Sequence, residues 1–184
     1  MNIWQSEWFS WLKALIVALI LVMIIRIFLF SPIIVDGPSM SPTLHNRDQM
    51  IVNKLSYRMN DPKRFDIIVF HAAQGKDYIK RIVGLPGEHV MINNNQLYID
   101  GEKVEQPFME DVLNDETTVI RDDLRLEHLP GSYEVIPEDY YLVLGDNRNN
   151  STDSRSIGLI ARDKIIGKAS IIYWPINRIQ TIKE

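Results

Sequence analysis

The feature that most constrains this chain of 184 residues is an apolar stretch near its N-terminus. Residues 14–30 read ALIVALILVMIIRIFLF, and Arg26 is the only charged side chain among them. Together with residues 8–12, the stretch is long enough as a helix to cross a hydrocarbon core of about 30 Å. Three of the four tryptophans gather at its N-terminal end, as aromatic residues do at a membrane interface. The pattern predicts an uncleaved transmembrane anchor.

A cleaved secretory signal peptide is the alternative interpretation of this stretch. It is disfavoured because the apolar region is too long, the basic leading segment is missing and no small-x-small cleavage site follows. The charges beside the stretch are too sparse to set its orientation. Residues 1–12 carry only Glu7, and Lys13 stands at the border, so the residues alone leave open which side of the membrane the chain enters.

The remainder of the chain is typical of a β protein. Pro32 ends the helix, and residues 33–35 begin an extended segment. Short runs rich in Val, Ile and Tyr, bounded by turn residues, predict strands. The predicted strands are Met50–Leu55, Asp66–His71, Tyr78–Val83, His89–Ile92, Gln96–Ile99, Tyr140–Leu144 and Lys168–Trp174. Asp100-Gly101 is a hairpin signal.

An acidic segment interrupts this pattern at about residues 105–130. Eight acidic side chains stand there against Arg121 and Arg125, which indicates a solvated insertion between sheet elements rather than a site. We therefore expect a short N-terminal segment (1–11), an anchor (12–30) and one β-rich domain (31–184) with this insertion.

Composition excludes several function classes. The chain has 20 basic and 24 acidic residues, a net charge of −4, which argues against nucleic-acid binding because phosphates require clustered positive charge. The absence of cysteine removes disulfides, thiolate nucleophiles and cysteine-ligated metals. The four histidines are scattered without ligand spacing, and neither a GxSxG elbow nor a phosphate-binding glycine loop is present. We expect no metal and no cofactor.

Three polar stretches carry the remaining chemistry. The first, DGPSMSPTL at 36–44, places Ser39 between two prolines close to the anchor, although Gly, Pro and Ser are also ordinary turn residues. The second, YIKRIVGLPGE at 78–88, mixes a cation with apolar neighbours on both faces of a strand, which predicts that either Lys80 or Arg81 is half-buried. A desolvated lysine can act as a general base, whereas arginine stays protonated. A surface lysine with an apolar stem is the alternative.

The third stretch, GDNRNNSTDSRSIG at 145–158, follows a predicted strand. It packs two Asp, two Arg, three Ser and three Asn into fourteen residues, more than a turn requires. Such a set of donors and acceptors suits the groups that orient a site, with a solvated loop as the alternative.

In this order the anchor, the serine segment, RFDIIVF at 64–70, the lysine segment and the 145–155 loop resemble the bacterial type I signal peptidases, compact members with one anchor. The resemblance covers residues 11–174. It implies a mainly β, antiparallel catalytic domain and a membrane-bound serine endopeptidase that removes signal peptides from exported preproteins through an acyl-enzyme. It also implies a cytoplasmic N-terminus, an extracytoplasmic catalytic domain, contact with membrane lipid and proximity to the secretion translocon.

The resemblance assigns roles to individual residues. Ser39 is expected to be the nucleophile and Lys80 the general base, with Ser151 orienting the lysine. Asp153 and Arg155 are expected to hold the loop against the site, and Asp146 and Arg148 to be structural. The backbone N–H of Ser39 would supply one oxyanion donor.

Two positions depart from the family pattern. Some members carry a serine hydroxyl for the oxyanion hole where this chain has Gly37, so the second donor is open. Asn149 stands where an aspartate is common, which removes a charge and is not expected to abolish activity.

Substrate binding is expected beside Ser39. A signal peptide with small residues at −1 and −3, bound as an added strand, would present alternate side chains to two shallow apolar pockets. The resemblance places Ile33, Val35, Met40 and Ile79 in their walls. Residues 174–176 are expected either to dock on lipid or to pack in the core.

Three alternatives compete with this interpretation. A self-cleaving repressor protease shares a Ser/Lys dyad, but it would need a DNA-reading domain instead of the anchor. A peptidase dedicated to one exported substrate is a narrower version that no residue excludes. A non-enzymatic membrane-anchored β-domain, a secretion scaffold or binding module, is disfavoured because Ser39, Lys80 and Ser151 occur together in family order.

Overall fold

A computed structural model describes residues 3–72, 75–110 and 123–182. It opens with one long helix, α1 (Ile3–Phe28). The part from Glu7 to Arg26 is long and apolar enough to cross a membrane, and none of it is buried inside the protein. At 1.5 Å per residue this part extends about 30 Å. Its uncovered apolar surface is what a lipid-facing helix requires.

Twelve strands follow α1 among the described residues. They are β1 (Phe30–Ile34), β2 (Gln49–Asn53), β3 (Ile67–His71), β4 (Asp77–Gly84), β5 (Val90–Asn93), β6 (Gln96–Ile99), β7 (Glu102–Val104), β8 (Leu124–Arg125), β9 (Tyr140–Leu144), β10 (Ile160–Ala161), β11 (Ile165–Trp174) and β12 (Gln180–Thr181). Two one-turn helices accompany them, α2 (Ser56–Met59) and α3 (Ser154–Ile157).

Within the described residues these strands form two antiparallel sheets. The larger has the order β1-β2-β11-β3-β4-β9-β10, with β12 paired to β11. The smaller has the order β7-β6-β5-β8. Although three strands separate β1 from β4 in this order, Ile33 of β1 and Ile79 of β4 pack against the same apolar cluster. The predicted mainly antiparallel β fold is confirmed.

The predicted strands match the observed ones closely, with instructive differences. Gln96–Ile99 and Tyr140–Leu144 are as predicted, and the other five differ at their ends. The extended segment begins earlier than predicted, since α1 ends at Phe28 and Phe30 already pairs with Asn53 of β2. Residues 111–122, nearly half of the acidic insertion, lie outside the described residues.

The core consists of apolar clusters on both sides of the large sheet. One cluster fills the space between the two sheets and includes Val83, Ile92 and Leu142. Another lies under the serine segment and buries Met40 and Leu44 with strand residues of the large sheet. The serine segment is therefore fixed to the sheet through its own apolar side chains.

The surroundings of Gly84 show how tightly side chains fill the space between the sheets. A Cβ there would lie 2.5 Å from Ile136 Cδ1 and 2.7 Å from Val90 Cγ2. We expect Gly84→Ala to destabilise the protein by about 1–3 kcal/mol through overpacking. Ile136→Val removes the nearer atom, so the double variant should lose less stability than the two single losses combined. Thermal unfolding of the full chain in detergent measures this, and additive losses would contradict the close approach.

Candidate active site

A cleft of about 510 Å³ opens beside the serine segment. Residues 33–40 form one wall, residues 77–80 of β4 form the other, and residues 149–152 close one end. The large sheet juxtaposes the two walls, which are about 40 residues apart in sequence. The three stretches singled out in the sequence therefore meet at one place.

Ser39 and Lys80 face each other across this cleft. The Lys80 Nζ lies 2.8 Å from the Ser39 Oγ, within hydrogen-bond distance, and it also donates to the carbonyl oxygen of Ile79 at 2.9 Å. Lys80 is only 4% exposed, although the cleft itself is open. A hydroxyl and a buried amine at this distance can exchange a proton directly.

The Lys80 amine is tuned toward its neutral form. Burial lowers its pKa from 10.5 to about 8, because the charged ammonium loses hydration, and the carboxylates of Asp153 and Asp146 oppose part of that shift. At neutral pH about a tenth of the lysine is then unprotonated, whereas at pKa 10.5 the fraction would be below a thousandth. The site therefore provides a usable base near neutral pH.

Both cations of the lysine segment are buried, which corrects the prediction that only one would be half-buried. Arg81, on the opposite face of β4 from Lys80, is fully buried. Its Nε and Nη2 donate to the two carboxylate oxygens of Asp146 at 2.9 and 2.7 Å, and its Nη1 donates to the Phe65 carbonyl at 2.9 Å. Bidentate pairing explains how the charge is tolerated in the interior.

Asp153 holds the end of the polar loop. The Arg155 side chain donates to both of its oxygens at 2.8 Å, and the backbone N–H of Gly145 donates to its Oδ2 at 3.0 Å. Burial by itself would raise the pKa of Asp153, but these hydrogen bonds and the Arg155 charge outweigh it and lower the pKa. Asp153 also caps α3, accepting from the Arg155 N–H.

Ser151 lies at the site without the hydrogen bond expected of it. Its Oγ is buried and has no partner of normal hydrogen-bond geometry among the described residues. It is nevertheless close enough to Asp153 to lower the pKa of that carboxyl. In this structure Lys80 is oriented by Ser39 and the Ile79 carbonyl instead.

The polar loop also contacts the backbone at Pro38 and Ser39. Asn147 donates from its N–H to the Ser39 carbonyl oxygen at 3.0 Å and from its Nδ2 to the Pro38 carbonyl at 3.2 Å. Thr43 donates from its Oγ1 to Asp146 at 2.6 Å, linking the serine segment to the same loop. Sequence reasoning assigned no role to Asn147, Thr43 or Arg81; only their places within the three motifs signalled them.

The four predicted substrate residues all line the cleft. Val35 and Met40 are buried, and Ile33 and Ile79 are partly buried against the same cluster. That these side chains bind substrate stays a prediction. Gly37 has φ +95°, a conformation that favours glycine, and its N–H donates to Asn46 Oδ1 at 3.0 Å. Its N–H is therefore committed, and the second oxyanion donor stays open.

Two further expectations concern groups away from the cleft. Trp174 and Ile176 are 48% and 69% exposed, so these side chains do not pack in the core. Across the described ranges, no three His, Cys, Asp or Glu side chains converge as metal ligands would.

Comparison with known proteins agrees with this geometry. The family described as "Signal peptidase, peptidase S26" matches residues 8–174. The signal peptidase I of Bacillus amyloliquefaciens is 41% identical over 97% of this chain and 95% of its own length. That of Bacillus caldolyticus is 42% identical over 88% of this chain and 89% of its own length. The signal peptidase IB of Staphylococcus aureus is 34% identical over 96% of this chain and 94% of its own length.

A solved structure extends the comparison to the fold. The crystal structure of a signal peptidase I from Enterococcus faecalis is 34% identical and has a TM-score of 0.54, covering 59% of this chain and 97% of that one. The resemblance drawn from the ordered motifs is thereby confirmed. The chain belongs to the signal peptidase family, peptidase S26, as a bacterial type I signal peptidase.

Proposed function

We propose that the chain is a membrane-bound serine endopeptidase that removes signal peptides from exported preproteins, with Ser39 and Lys80 as its catalytic dyad. The observation that carries the proposal is the 2.8 Å contact between the Ser39 hydroxyl and the buried Lys80 amine at an open cleft. A non-enzymatic scaffold would have no need for a desolvated lysine at a serine hydroxyl.

The proposed reaction divides into two steps. In the first, Ser39 Oγ attacks the scissile carbonyl while its proton passes to the neutral Lys80 amine, and the amine of the mature protein leaves with a proton. An ester between Ser39 and the signal peptide remains. In the second step Lys80 takes a proton from water while the water oxygen attacks the ester carbonyl. The bond between that carbonyl carbon and Ser39 Oγ then breaks, Lys80 returns the proton to Ser39 Oγ, and the signal peptide leaves as a carboxylate. The Ser39 N–H is proposed to stabilise the oxyanion in both steps.

The roles of the surrounding residues follow from their contacts. The polar loop is held by Asp153, Arg155 and Asp146. The carboxylates of Asp153 and Asp146 keep the Lys80 pKa from falling further. Ser151 lines the same cleft as Ser39 and Lys80, and its hydroxyl is proposed to orient the lysine when substrate is bound.

Substrate is proposed to bind as an added strand between the two walls. Among the residues that the structure describes, β1 is the terminal strand of the large sheet. Residues 77–80 pair there with β3 on one edge only, since β9 pairs from Arg81 onward. Both walls thus present an unpaired backbone edge to the cleft. Alternate residues of an extended peptide would face Ile33, Val35, Met40 and Ile79, which leave space for small side chains such as alanine at −1 and −3.

The placement at the membrane is part of the proposal. Register places Pro32, Ile51 and Ile171 in one row and Ile34, Gln49 and Trp174 in the next, on the face opposite the core. This outer face is mostly apolar, and it begins two residues after α1. We propose that it rests on lipid on the extracytoplasmic side, which keeps the cleft close to the bilayer and to substrates leaving the translocon.

The dyad is tested by removing each partner. We expect Ser39→Ala, Lys80→Met and Lys80→Arg each to reduce cleavage of a preprotein roughly 10³-fold or more, since the nucleophile or a base able to be neutral is lost. Lys76→Met, an exposed lysine just before β4, is the matched control and should behave as wild type. N-terminal sequencing of the product locates the cut. Substantial turnover by Lys80→Arg would remove Lys80 from its role.

The pH profile tests the state of the lysine. The ammonium cannot accept the hydroxyl proton, and the neutral fraction falls tenfold per pH unit below the pKa. With a Lys80 pKa of about 8, kcat/KM should rise with pH and level off above 8. Initial rates on a peptide substrate between pH 6 and 10 measure this. A flat profile, or a midpoint near 10.5, would contradict a desolvated lysine base.

Membrane placement is testable because the chain has no native cysteine to label. We expect Glu102→Cys, exposed in β7, to react with a membrane-impermeant maleimide outside intact cells, and Glu7→Cys to react only after permeabilisation. Ile171→Cys should react faster in the detergent-solubilised protein than in the membrane-embedded protein, because lipid covers the outer face. Labelling of Glu7→Cys alone in intact cells would reverse the proposed orientation.

A further inference from the structure

The acidic insertion begins with a short segment that contacts Arg81 and Arg148, two buried arginines beside the active-site loop. Gln106 and Phe108 flank Pro107 at the base of the insertion, within a turn of 3-10 helix. Gln106 is buried, at 5% exposure, and Phe108 is partly buried. Neither residue lines the cleft.

Phe108 covers the buried arginine of the lysine segment. The centre of the Arg81 guanidinium lies 3.9 Å from the centroid of the Phe108 ring, a close cation–π contact. Phe65 supports the ring from the side, with centroids 5.1 Å apart at 63°. The ring keeps water from the Arg81–Asp146 pair, and a pair kept dry is held more firmly than one in water.

Gln106 makes the corresponding contact to the neighbouring arginine of the polar loop. Arg148 donates from its Nη2 to Gln106 Oε1 at 2.6 Å, and both side chains are 5% exposed. At the base of the insertion, Phe108 thus contacts Arg81, the ion-pair partner of Asp146, and Gln106 contacts Arg148. Asn147 lies between Asp146 and Arg148 in the loop, and its backbone N–H donates to the Ser39 carbonyl at 3.0 Å.

We propose that Phe108 and Gln106 are positioning residues for catalysis, which act through Arg81, Asp146 and Arg148 to hold Asn147 against the backbone of Ser39. The room for adjustment there is small, since a Cβ on the adjacent Gly145 would lie 2.5 Å from the Ser39 carbonyl oxygen. A shift of the loop is therefore transmitted to Ser39 and alters its approach to Lys80. This inference rests on the proposed roles of Ser39 and Lys80.

Variants at the two positions test the proposal. We expect Phe108→Leu and Gln106→Met to lower kcat by between about tenfold and a hundredfold, because displacement of a nucleophile by a fraction of an ångström has effects of this size. KM should change little, since neither residue lines the cleft. Phe108→Tyr keeps the aromatic face and should retain most of the activity. Val104→Ala, in the strand before the insertion and packed against the core between the sheets, is the control.

Three measurements separate positioning from loss of stability. Thermal unfolding of each variant in detergent should show a decrease in melting temperature no larger than that of Val104→Ala. Only the Phe108 and Gln106 variants should have a lower kcat. Asn147→Ala removes the hydrogen bond from its Nδ2 to the Pro38 carbonyl, beside Ser39. It should cost less in Phe108→Leu than in wild type, because both substitutions loosen the same contact between the polar loop and the serine segment. Equal kcat in Phe108→Leu and Val104→Ala, a kcat loss that follows the melting temperature, or additive effects with Asn147→Ala would overturn the proposal. Activity surviving in Lys80→Met would instead contradict the proposed dyad.

Discussion

The exclusion of water from one lysine amine is the constraint on which the rest of the site depends. Lys80 must be buried to act as the proposed base, yet a buried lysine destabilises the protein unless it stays neutral. The structure meets both needs by placing Lys80 on a central strand, with its amine directed at the Ser39 hydroxyl and the Ile79 carbonyl. The carboxylates of Asp146 and Asp153 limit how far its pKa falls. Their own charges are balanced by Arg81 and Arg155 rather than by the lysine.

This division of charges explains why the polar loop is so rich in ionisable residues. Two arginine–aspartate pairs, both buried at their carboxylates, hold the loop while leaving the amine uncharged for part of the time. If either aspartate paired directly with Lys80, the ammonium would be stabilised and the neutral amine that the proposed mechanism needs would be lost. The arginines therefore have a chemical purpose beyond structure, because they keep the aspartates occupied.

The surroundings of the site connect it to the rest of the chain in two directions. Toward the membrane, β1 follows α1 almost at once, so the outer face and the cleft stay close to the end of the anchor. Away from it, the base of the insertion reaches back to Arg81 and Arg148. An insertion that composition predicts to be solvated is thus attached, at its first residues, to the arginines beside the polar loop.

The sequence by itself determined the anchor-like helix, the mainly β character of the domain and the segments that carry chemistry. These follow from local patterns: a long apolar run, alternating β-branched residues and dense polar loops around Ser39, Lys80 and Asp153. Short strands such as β8, β10 and β12 were not predicted, because two residues carry no alternation and form strands only when a partner edge is present.

Tertiary structure alone decided which groups meet and in what state. Local pattern could not reveal that both Lys80 and Arg81 are buried, because burial on the two faces of β4 depends on layers supplied by distant segments. Nor could it reveal Phe108 over Arg81, since the two are linked only through the packing of the insertion base on the sheet. The pKa of Lys80 belongs to the same class, because it is set by desolvation and by carboxylates about 70 residues away in sequence.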